Sequence, residues 1–417
     1  MKLAALLLTM MAPVAAGARP AYLKPVHENG VTLVRVAGDA GTEAGGIEWG
    51  RDARHAYSKQ EPWNADGSLL LLQNRDDGSP ARVLLDGATY AARPLTCGDD
   101  VLWDYRWHPV KPNILVNVDK AGRELSWFDV AACRKVASWS LPTSVKGIGA
   151  GEGNVSNDGR YLALGNQETM FVVDMSAPSG KARTGPLVEV DRCDDCRIGN
   201  LSISPSGRYV DVKFSGPTDD TKDLHRIYEV DAATLALAPH AMAKASTRCG
   251  VYADRTDGYV FPLKHADMAL DNGEDVLVGG RSCAGSQLGR VVKVRLKDGK
   301  VTALTDPKHE ASVAHVSARN LLRPGWVYVS YFRQPGKKYS DEIVAVKLDG
   351  SHEVERFGTT HTEPKGCYRC EAHPAPSPDG RRVVFASNWG GGAIAAYVVQ
   401  RTTTNLPARS PSAVRAR

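Results

Sequence analysis

The stretch Ser377-Pro-Asp-Gly-Arg-Arg-Val-Val-Phe-Ala-Ser-Asn-Trp389 places a tight turn directly before an apolar strand. Pro, Asp and Gly favour the turn, because Pro presets φ, Asp bonds its own backbone and Gly reaches positive φ without steric cost. The run Val-Val-Phe-Ala that follows is typical of a strand buried on both faces. This unit predicts β structure, and its recurrence decides the architecture.

The same turn-then-strand event occurs six times upstream of Gly380. The earlier turns end at Gly67, Asn113, Gly159, Gly207, Gly273 and Gly325. Successive turns are 46, 46, 48, 66, 52 and 55 residues apart. Further strands are predicted at 126–130, 170–174, 226–231, 291–296 and 342–350. Four-stranded units repeating at this period predict an all-β fold, a seven-bladed β-propeller.

The propeller is expected to span residues 19–402 and to be closed by an N-terminal strand. Only two strands fit after the last turn, at 383–387 and 393–399, whereas the strand at 31–36 stands alone before the first unit. Pairing these ends would complete the last blade and hide exposed strand edges. The long interval after Gly207 predicts an insertion, around 217–224 and 241–250.

The two ends of the chain differ in composition from the predicted propeller between them. Lys2, the apolar run 3–12 and the small residues Ala16-Gly-Ala18 predict a signal peptide over residues 1–18. The run is too short to span a bilayer. We therefore expect a periplasmic or secreted protein with no membrane span. Residues 403–417 are expected to form a disordered basic tail.

Overall charge argues against one class of partner. The net charge is +5, and Lys2 together with the arginines from residue 401 onward accounts for the excess. The folded part is therefore close to neutral, so a nucleic-acid partner is not expected. Hydrophobic residues make up 42% and charged residues 24%, which excludes disordered and fibrous classes. A monomer is expected.

Eight cysteines suit an oxidising compartment. Proximity along the chain predicts four disulfides, and these are 97–133, 193–196, 249–283 and 367–370. The alternative is a zinc site with four thiolates from the two C-x-x-C pairs. Those pairs are 171 residues apart, far beyond the usual spacing of such sites.

The repeat that contains Ser377-Pro-Asp-Gly380 resembles the TolB-type propeller repeat. Three further stretches, His265-Ala-Asp267, His315-Val-Ser-Ala-Arg-Asn320 and Glu371-Ala-His-Pro374, together resemble the seven-bladed propeller lyases of the oligogalacturonate and ulvan lyase groups. This resemblance implies a central cleft surrounded by histidines, sometimes with a divalent metal. The catalytic tyrosine of those lyases does not map onto a single position here, which leaves the acid/base assignment open.

The strand leading into each turn lies nearest the axis of a propeller, so its alternate side chains can face the channel. Seven residues before each turn stand Gln60, Arg106, Glu152, Asn200, Ala266, Ala318 and His373. Five of the seven are polar, and a one-residue bulge would turn the polar neighbours of the two alanines inward. Polar channel residues also occur in purely structural propellers.

Histidines on three adjacent blades suggest a metal site. His265, His315 and His373 are predicted to bind a divalent ion, Mn or Ca, with Asp267 or Glu371 as an oxygen ligand or a supporting partner. The substrate expected from the resemblance is an acidic polysaccharide or oligosaccharide, cleaved by β-elimination.

In such a lyase the substrate carboxylate is neutralised and a base removes the α proton. His315 or His373 is predicted to be the base, and Arg319 the group that pairs the carboxylate. The remaining predicted substrate-binding residues are Asn320, Arg106, Gln60 and Glu152. The candidate proton donors to the leaving oxygen are Tyr57, Tyr105 and Tyr368.

Two other functions remain open. Glu152 and Glu371 would suit glycoside hydrolysis if their separation matched a retaining or inverting geometry. A non-catalytic periplasmic TolB-like propeller that binds a protein or an envelope component is the main alternative to an enzyme.

Overall fold

The computed structural model describes residues 18–192, 195–217, 222–240, 259–260, 263–281, 290–306, 309–363 and 366–402. This part is almost entirely β structure, with short 3₁₀ turns at Gly149–Gly151 and Tyr368–Cys370. No helix among these residues is long and apolar enough to cross a membrane. The predicted signal peptide (apart from Ala18), the basic tail and much of the predicted insertion lie outside the described residues.

The strands of the first half follow the predicted repeat. They are β1 (Val26–Glu28), β2 (Val31–Arg35), β3 (Glu43–Ala44), β4 (Ile47–Glu48), β5 (Asp52–Arg54), β6 (Leu69–Arg75), β7 (Arg82–Asp86), β8 (Ala92–Pro94), β9 (Asp104–Trp107), β10 (Ile114–Val118), β11 (Glu124–Asp129), β12 (Arg134–Ser140), β13 (Tyr161–Gly165), β14 (Thr169–Asp174), β15 (Gly180–Lys181), β16 (Arg183–Thr184) and β17 (Val188–Glu189).

The second half continues in the same way. Its strands are β18 (Arg197–Ile203), β19 (Tyr209–Ser215), β20 (Lys222–Val230), β21 (Leu237–Pro239), β22 (Tyr259–Val260), β23 (Leu263–Asp271), β24 (Glu274–Arg281), β25 (Val291–Arg295), β26 (Val301–Ala303), β27 (Val313–Ser317), β28 (Trp326–Tyr331), β29 (Glu342–Lys347), β30 (Val354–Thr359), β31 (Ala375–Pro376), β32 (Arg382–Ser387) and β33 (Ile394–Arg401).

Most sheets are antiparallel meanders in chain order, namely β5–β8, β9–β12, β18–β21, β23–β26 and β27–β30. In the third unit β14 pairs with β13, β16 and β17. The last sheet contains β31, β32 and β33, and β33 also pairs antiparallel with β2. The predicted pairing of the N-terminal strand with the last strand is therefore observed. A short parallel contact between β33 and β5 links the last unit to the first.

The strand after each turn is buried because it lies between neighbouring sheets. All five residues of β10 are buried, and one apolar cluster combines Val276 of β24 with Val327 of β28. The turns lock adjacent units together. Gly380 has φ 68°, and a Cβ placed there would lie 2.3 Å from the hydroxyl oxygen of Tyr328, which donates a hydrogen bond to the Gly380 carbonyl. The repeat therefore requires glycine at this turn.

Two predicted disulfides, Cys97–Cys133 and Cys367–Cys370, are present. Because Cys367 and Cys370 are bonded to each other, the alternative zinc site with four thiolates is wrong. Cys196 is also disulfide-bonded. The other predicted partners, Cys193, Cys249 and Cys283, lie outside the described residues.

Candidate functional site

The structure brings the three predicted histidines together. His265 lies on β23 and His315 on β27, and each strand has a bulge at that point. His373 precedes β31. The ring centroids of His265 and His315 are 4.2 Å apart, and those of His315 and His373 are 3.9 Å apart. Left-handed backbone at His265 (φ 50°) and at His373 (φ 44°) places these side chains. Strained backbone of this kind concentrates at functional sites.

Glu371 lies close to two of the three histidines, His315 and His373. Its Oε2 lies 2.6 Å from Nε2 of His315. One ligand atom each from His315, Glu371 and His373 lies within 4.8 Å of the others, and we call these three residues the central cluster. The structure does not bring Asp267 into this cluster, and His265 lies beside it.

Both histidines of the central cluster present a free nitrogen. Nε2 of His373 lies 3.0 Å from the carbonyl oxygen of Tyr368, and Nε2 of His315 contacts Glu371. Their Nδ1 atoms are buried and have no hydrogen-bond partner among the described residues. A proton on Nε2 leaves a lone pair on Nδ1, which is how a supporting partner prepares a metal-ligating histidine.

Electrostatics keep these imidazoles neutral. Burial, reinforced by the charge of Arg54, lowers the pKa of His315 to about 3. Burial and the neighbouring His315 also lower the pKa of His373 well below its usual value. Burial raises the pKa of Glu371 to about 7, against the opposing effect of Arg54. Two neutral imidazoles and a carboxyl group form a donor set suited to a divalent metal.

A hydrogen-bonded tyrosine pair adjoins the central cluster. The Tyr57 hydroxyl lies 2.9 Å from Nδ1 of His265, and the Tyr368 hydroxyl donates to Tyr57 at 3.0 Å. Burial, followed by the charge of Glu152, raises the pKa of Tyr57 well above its usual value. Burial and the neighbouring His315 lower the pKa of His265. At neutral pH Tyr57 is therefore a phenol and His265 a neutral imidazole.

Glu152 and Gln60 lie at the edge of this arrangement. Glu152 Oε2 is 2.5 Å from the ammonium of Lys59, whose side chain is buried. Burial opposes ionisation, but Lys59 and Lys213 outweigh it and lower the pKa of Glu152 to about 2. Gln60 donates to the carbonyl of Gly151. Glu152 is therefore a charged, paired carboxylate.

Three other predicted residues are occupied by structural contacts. Arg319 forms a buried pair with Asp267, with two hydrogen bonds of 3.1 Å. Asn320 donates to the backbone of Arg323 and Trp326. Arg106 donates to Asp104 and to three backbone carbonyls. Their predicted roles toward substrate stay predictions, and these contacts give each side chain a role in holding the inner strands.

Sequence reasoning missed Arg54, which follows no repeat turn. Its side chain is buried, and its Nε and Nη1 make no hydrogen bond to a described residue. The nearest carboxylate is Asp52, at 3.7 Å from Nε. Burial and the charge of Arg369 lower the pKa of Arg54 to about 9, so it remains a cation at neutral pH. The signal in the sequence is Asp52-Ala-Arg54-His55, a polar stretch that forms the short strand β5 and the residue after it.

An open cleft of about 600 Å³ leads to this region. Its lining includes Tyr57, Gln60, Glu152, Tyr368 and Arg369 near the central cluster. It extends across the loops of the second and third units, past Trp103, Lys120 and Lys146. A chain-like ligand could therefore reach the tyrosine pair from solvent.

Removing the disulfide Cys367–Cys370 is expected to weaken metal binding about tenfold and to cost about half as much stability as removing the longer disulfide Cys97–Cys133. This disulfide closes the 3₁₀ turn whose Tyr368 carbonyl orients His373, and loss of such an orienting contact costs 10–100-fold in metal affinity. The pair is separated by only three residues, so its entropic contribution is about 2 kcal/mol. The double variant to Ala is tested by metal titration and thermal unfolding.

The disulfide Cys97–Cys133 is the matched control, since it closes a separation of 36 residues and lies away from the central cluster. Its removal is expected to cost about 4 kcal/mol and to leave metal affinity unchanged. Equal metal affinities in the two double variants would contradict the orienting role of Tyr368.

Comparisons with known proteins show a likeness of fold. No protein-family model and no curated protein matches this chain. An oligogalacturonate lyase solved in complex with manganese matches with a TM-score of 0.59 at 16% identity, over 91% of this chain and 96% of that one. The predicted resemblance to propeller lyases is confirmed at the level of the fold.

Two other solved structures match with lower scores. The β-propeller domain of Cps50 (Swd1) from Myceliophteria thermophila gives a TM-score of 0.49 at 13% identity, over 84% of this chain and 98% of that domain. A putative TolB from Agrobacterium tumefaciens gives 0.32 at 20% identity, over 56% of this chain and 68% of its own. The β-propeller fold is supported by the repeated four-stranded sheets and by the match to the oligogalacturonate lyase.

Proposed function

We propose that this protein is a metal-dependent lyase that cleaves an acidic oligosaccharide or polysaccharide by β-elimination next to a uronate carboxylate. The observation that carries the proposal is the central cluster, two histidines with free Nδ1 atoms and one carboxyl group, beside the Tyr57–His265 pair at the end of an open cleft. The fold likeness to a manganese-bound oligogalacturonate lyase supports it.

His315, His373 and Glu371 would hold the metal, and Glu371 would then exchange its contact with Nε2 of His315 for the ion. Two imidazole nitrogens fit manganese or another transition ion better than calcium, which takes oxygen ligands. When bound, such an ion neutralises the substrate carboxylate and so makes the α proton more acidic. Arg54 adds a fixed positive charge beside the cluster, and its unpaired donors suit the same role.

The Tyr57–His265 pair supplies the proton transfers. In the free protein the Tyr57 hydroxyl contacts Nδ1 of His265. With substrate bound, the hydroxyl would turn to the glycosidic oxygen and free Nδ1. His265 then takes the α proton, the bond between the β carbon and the glycosidic oxygen breaks, and Tyr57 protonates that oxygen. The products are an unsaturated uronate end and a free sugar hydroxyl.

We also propose that the sheets are seven blades of a ring closed by the β2–β33 pairing, and that the chain is exported as a monomer. Seven repeated turns and the pairing of both chain ends support the ring. The apolar run before Ala18 and the disulfides support export to an oxidising compartment.

The test is incubation of the purified protein, with added manganese, on pectate, ulvan, alginate and glucuronan. We expect ultraviolet-absorbing unsaturated uronate ends from at least one of these glycans and none from a neutral glycan. Absence of new absorbance on all four would refute the proposed activity. An envelope partner whose binding survives substitution of His265, His315 and His373 would instead favour the TolB-like scaffold.

A further inference from the structure

We propose that Trp103, with Lys120 and Lys146, forms a second binding subsite in the cleft, for a uronate unit of the same oligosaccharide that lies away from the bond being cleaved. This inference rests on the proposed function, because it assigns the part of the cleft that the central cluster does not use. It predicts that the protein prefers chains longer than a disaccharide.

Trp103 is unusual because its exposed indole is carried on a fixed loop. The side chain is 58% exposed. The backbone N–H of Trp103 donates to Oδ1 of the buried Asn117 at 2.8 Å, and Nδ2 of Asn117 donates to the carbonyl of Val101 at 3.0 Å. The disulfide Cys97–Cys133 ties the start of the same loop to the end of the neighbouring hairpin. A large apolar surface held in place loses little entropy when a ligand covers it.

The charges around Trp103 favour an anion. The ammonium of Lys120 lies 5.3 Å from the centre of the indole ring. Lys120 and Lys146 are exposed, and neither forms an ion pair with another residue in the described part of the chain. Both line the same cleft as Trp103. These cations are therefore available to a ligand.

Two of the three carboxylates that line the cleft are paired with a cation, and the third bonds to backbone N–H groups. Asp104 accepts hydrogen bonds from Arg106 and from the backbone of Ile148. Asp119 accepts two backbone N–H groups of the following turn, and Glu152 is paired with Lys59. Among the lining residues that form no ion pair in the described part of the chain, the cations Arg75, Lys120 and Lys146 outnumber the carboxylate of Asp119, so the net charge there is positive and attracts an acidic ligand.

The chemistry of the subsite matches a uronate sugar. The C–H face of a pyranose ring packs against an indole, and the carboxylate of the sugar pairs with an ammonium. The same cleft reaches Tyr57 and Tyr368 beside the central cluster. One linear oligosaccharide can therefore contact both the indole and the proposed reaction site.

The test measures binding without cleavage. Metal-free wild-type protein, Trp103→Ala and Trp103→Phe are titrated calorimetrically with galacturonate and glucuronate dimers and tetramers. For Trp103→Ala we expect tetramer affinity to fall about tenfold, equivalent to about 1.4 kcal/mol, with dimer affinity unchanged. Trp103→Phe should keep most of the tetramer affinity, and Lys146→Gln should weaken tetramer binding most at low salt.

Leu322→Ala is the matched control, since Leu322 is 68% exposed and lies outside the cleft. Wild-type tetramer affinity in Trp103→Ala, or no Trp103-dependent binding of either tetramer, would overturn the subsite. If tetramers bind through Trp103 but no glycan is cleaved, the subsite stands and the lyase proposal fails. If glycans are cleaved, and Trp103→Ala binds the dimer and the tetramer with wild-type affinity, the lyase proposal stands and the subsite proposal fails.

Discussion

Replacing His315 by alanine is expected to abolish manganese retention and to reduce lyase activity by about 10³-fold or more. The side chain is fully buried, its Nδ1 has no described partner, and its Nε2 contacts Glu371. Alanine removes both nitrogens, so the central cluster keeps only one imidazole. Metal content of the dialysed protein by elemental analysis and initial rates on the cleaved glycan are the two measurements.

Because a buried substitution can also disturb folding, Glu371→Gln provides a second variant of nearly equal size. Its side chain is only 15% exposed, and the amide keeps a hydrogen-bonding group near His315 while removing the carboxylate. We expect the same loss of metal with an unchanged unfolding temperature. His27→Ala, at an exposed imidazole on β1, should behave as wild type. Full manganese retention in both variants at the central cluster would show that the metal site lies elsewhere.

The repeat was predictable from sequence because each turn and the strand after it are local. Turn residues such as Ser377-Pro-Asp-Gly380 fix a hairpin by their own backbone preferences, and an apolar run after a turn needs only neighbouring sheets to bury it. The observed strands β6, β10, β13, β19, β24, β28 and β32 all begin within three residues of the predicted turns. Of the three histidines only His373 stands at the counted position, seven residues before its turn, whereas His265 and His315 were predicted to converge because they lie on the inner strands of adjacent units.

Which side chains of the site contact one another could not be predicted in the same way. Asp267 was predicted as an oxygen ligand or a supporting partner of the metal, and in a regular strand it would share a face with His265. The bulge between Lys264 and Asp267, with His265 at φ 50°, turns them apart, and Asp267 pairs with Arg319 of the next unit. A shift of one residue reverses the face of a strand, and contacts distant in sequence decide it.

The position of Arg54 in the site could not be predicted from the repeat either. It lies at the end of β5, next to the stretch 55–60 that carries Tyr57 and Lys59 into the site before the chain returns to the sheet at Trp63. Nothing in the repeat predicts that residues 55–60 leave the sheet and enter the site. Its placement depends on contacts such as His55 Nε2 with the carbonyl of His373, 2.5 Å apart and 318 residues distant in sequence.

Tyr57→Phe is expected to reduce kcat by roughly 10²–10⁴-fold while leaving metal binding and KM nearly unchanged. The substitution removes only the hydroxyl that contacts Nδ1 of His265 and accepts from Tyr368. The ring still packs against His315 and His373, with centroids 5.5 Å and 5.0 Å away, so the central cluster keeps its support. Steady-state rates and metal content of the purified variant are the measurements.

Two comparisons separate proton transfer from structural support. Tyr161→Phe removes a hydroxyl on β13, away from the cluster, and should not change kcat. Tyr368→Phe should cost less than Tyr57→Phe, because the hydroxyl of Tyr368 bonds to the hydroxyl of Tyr57, which in turn contacts Nδ1 of His265. A Tyr57→Phe enzyme with wild-type kcat would exclude Tyr57 as the proton donor. An equal loss in both tyrosine variants would mean that the hydroxyl pair acts as a unit, since groups that act together lose activity non-additively.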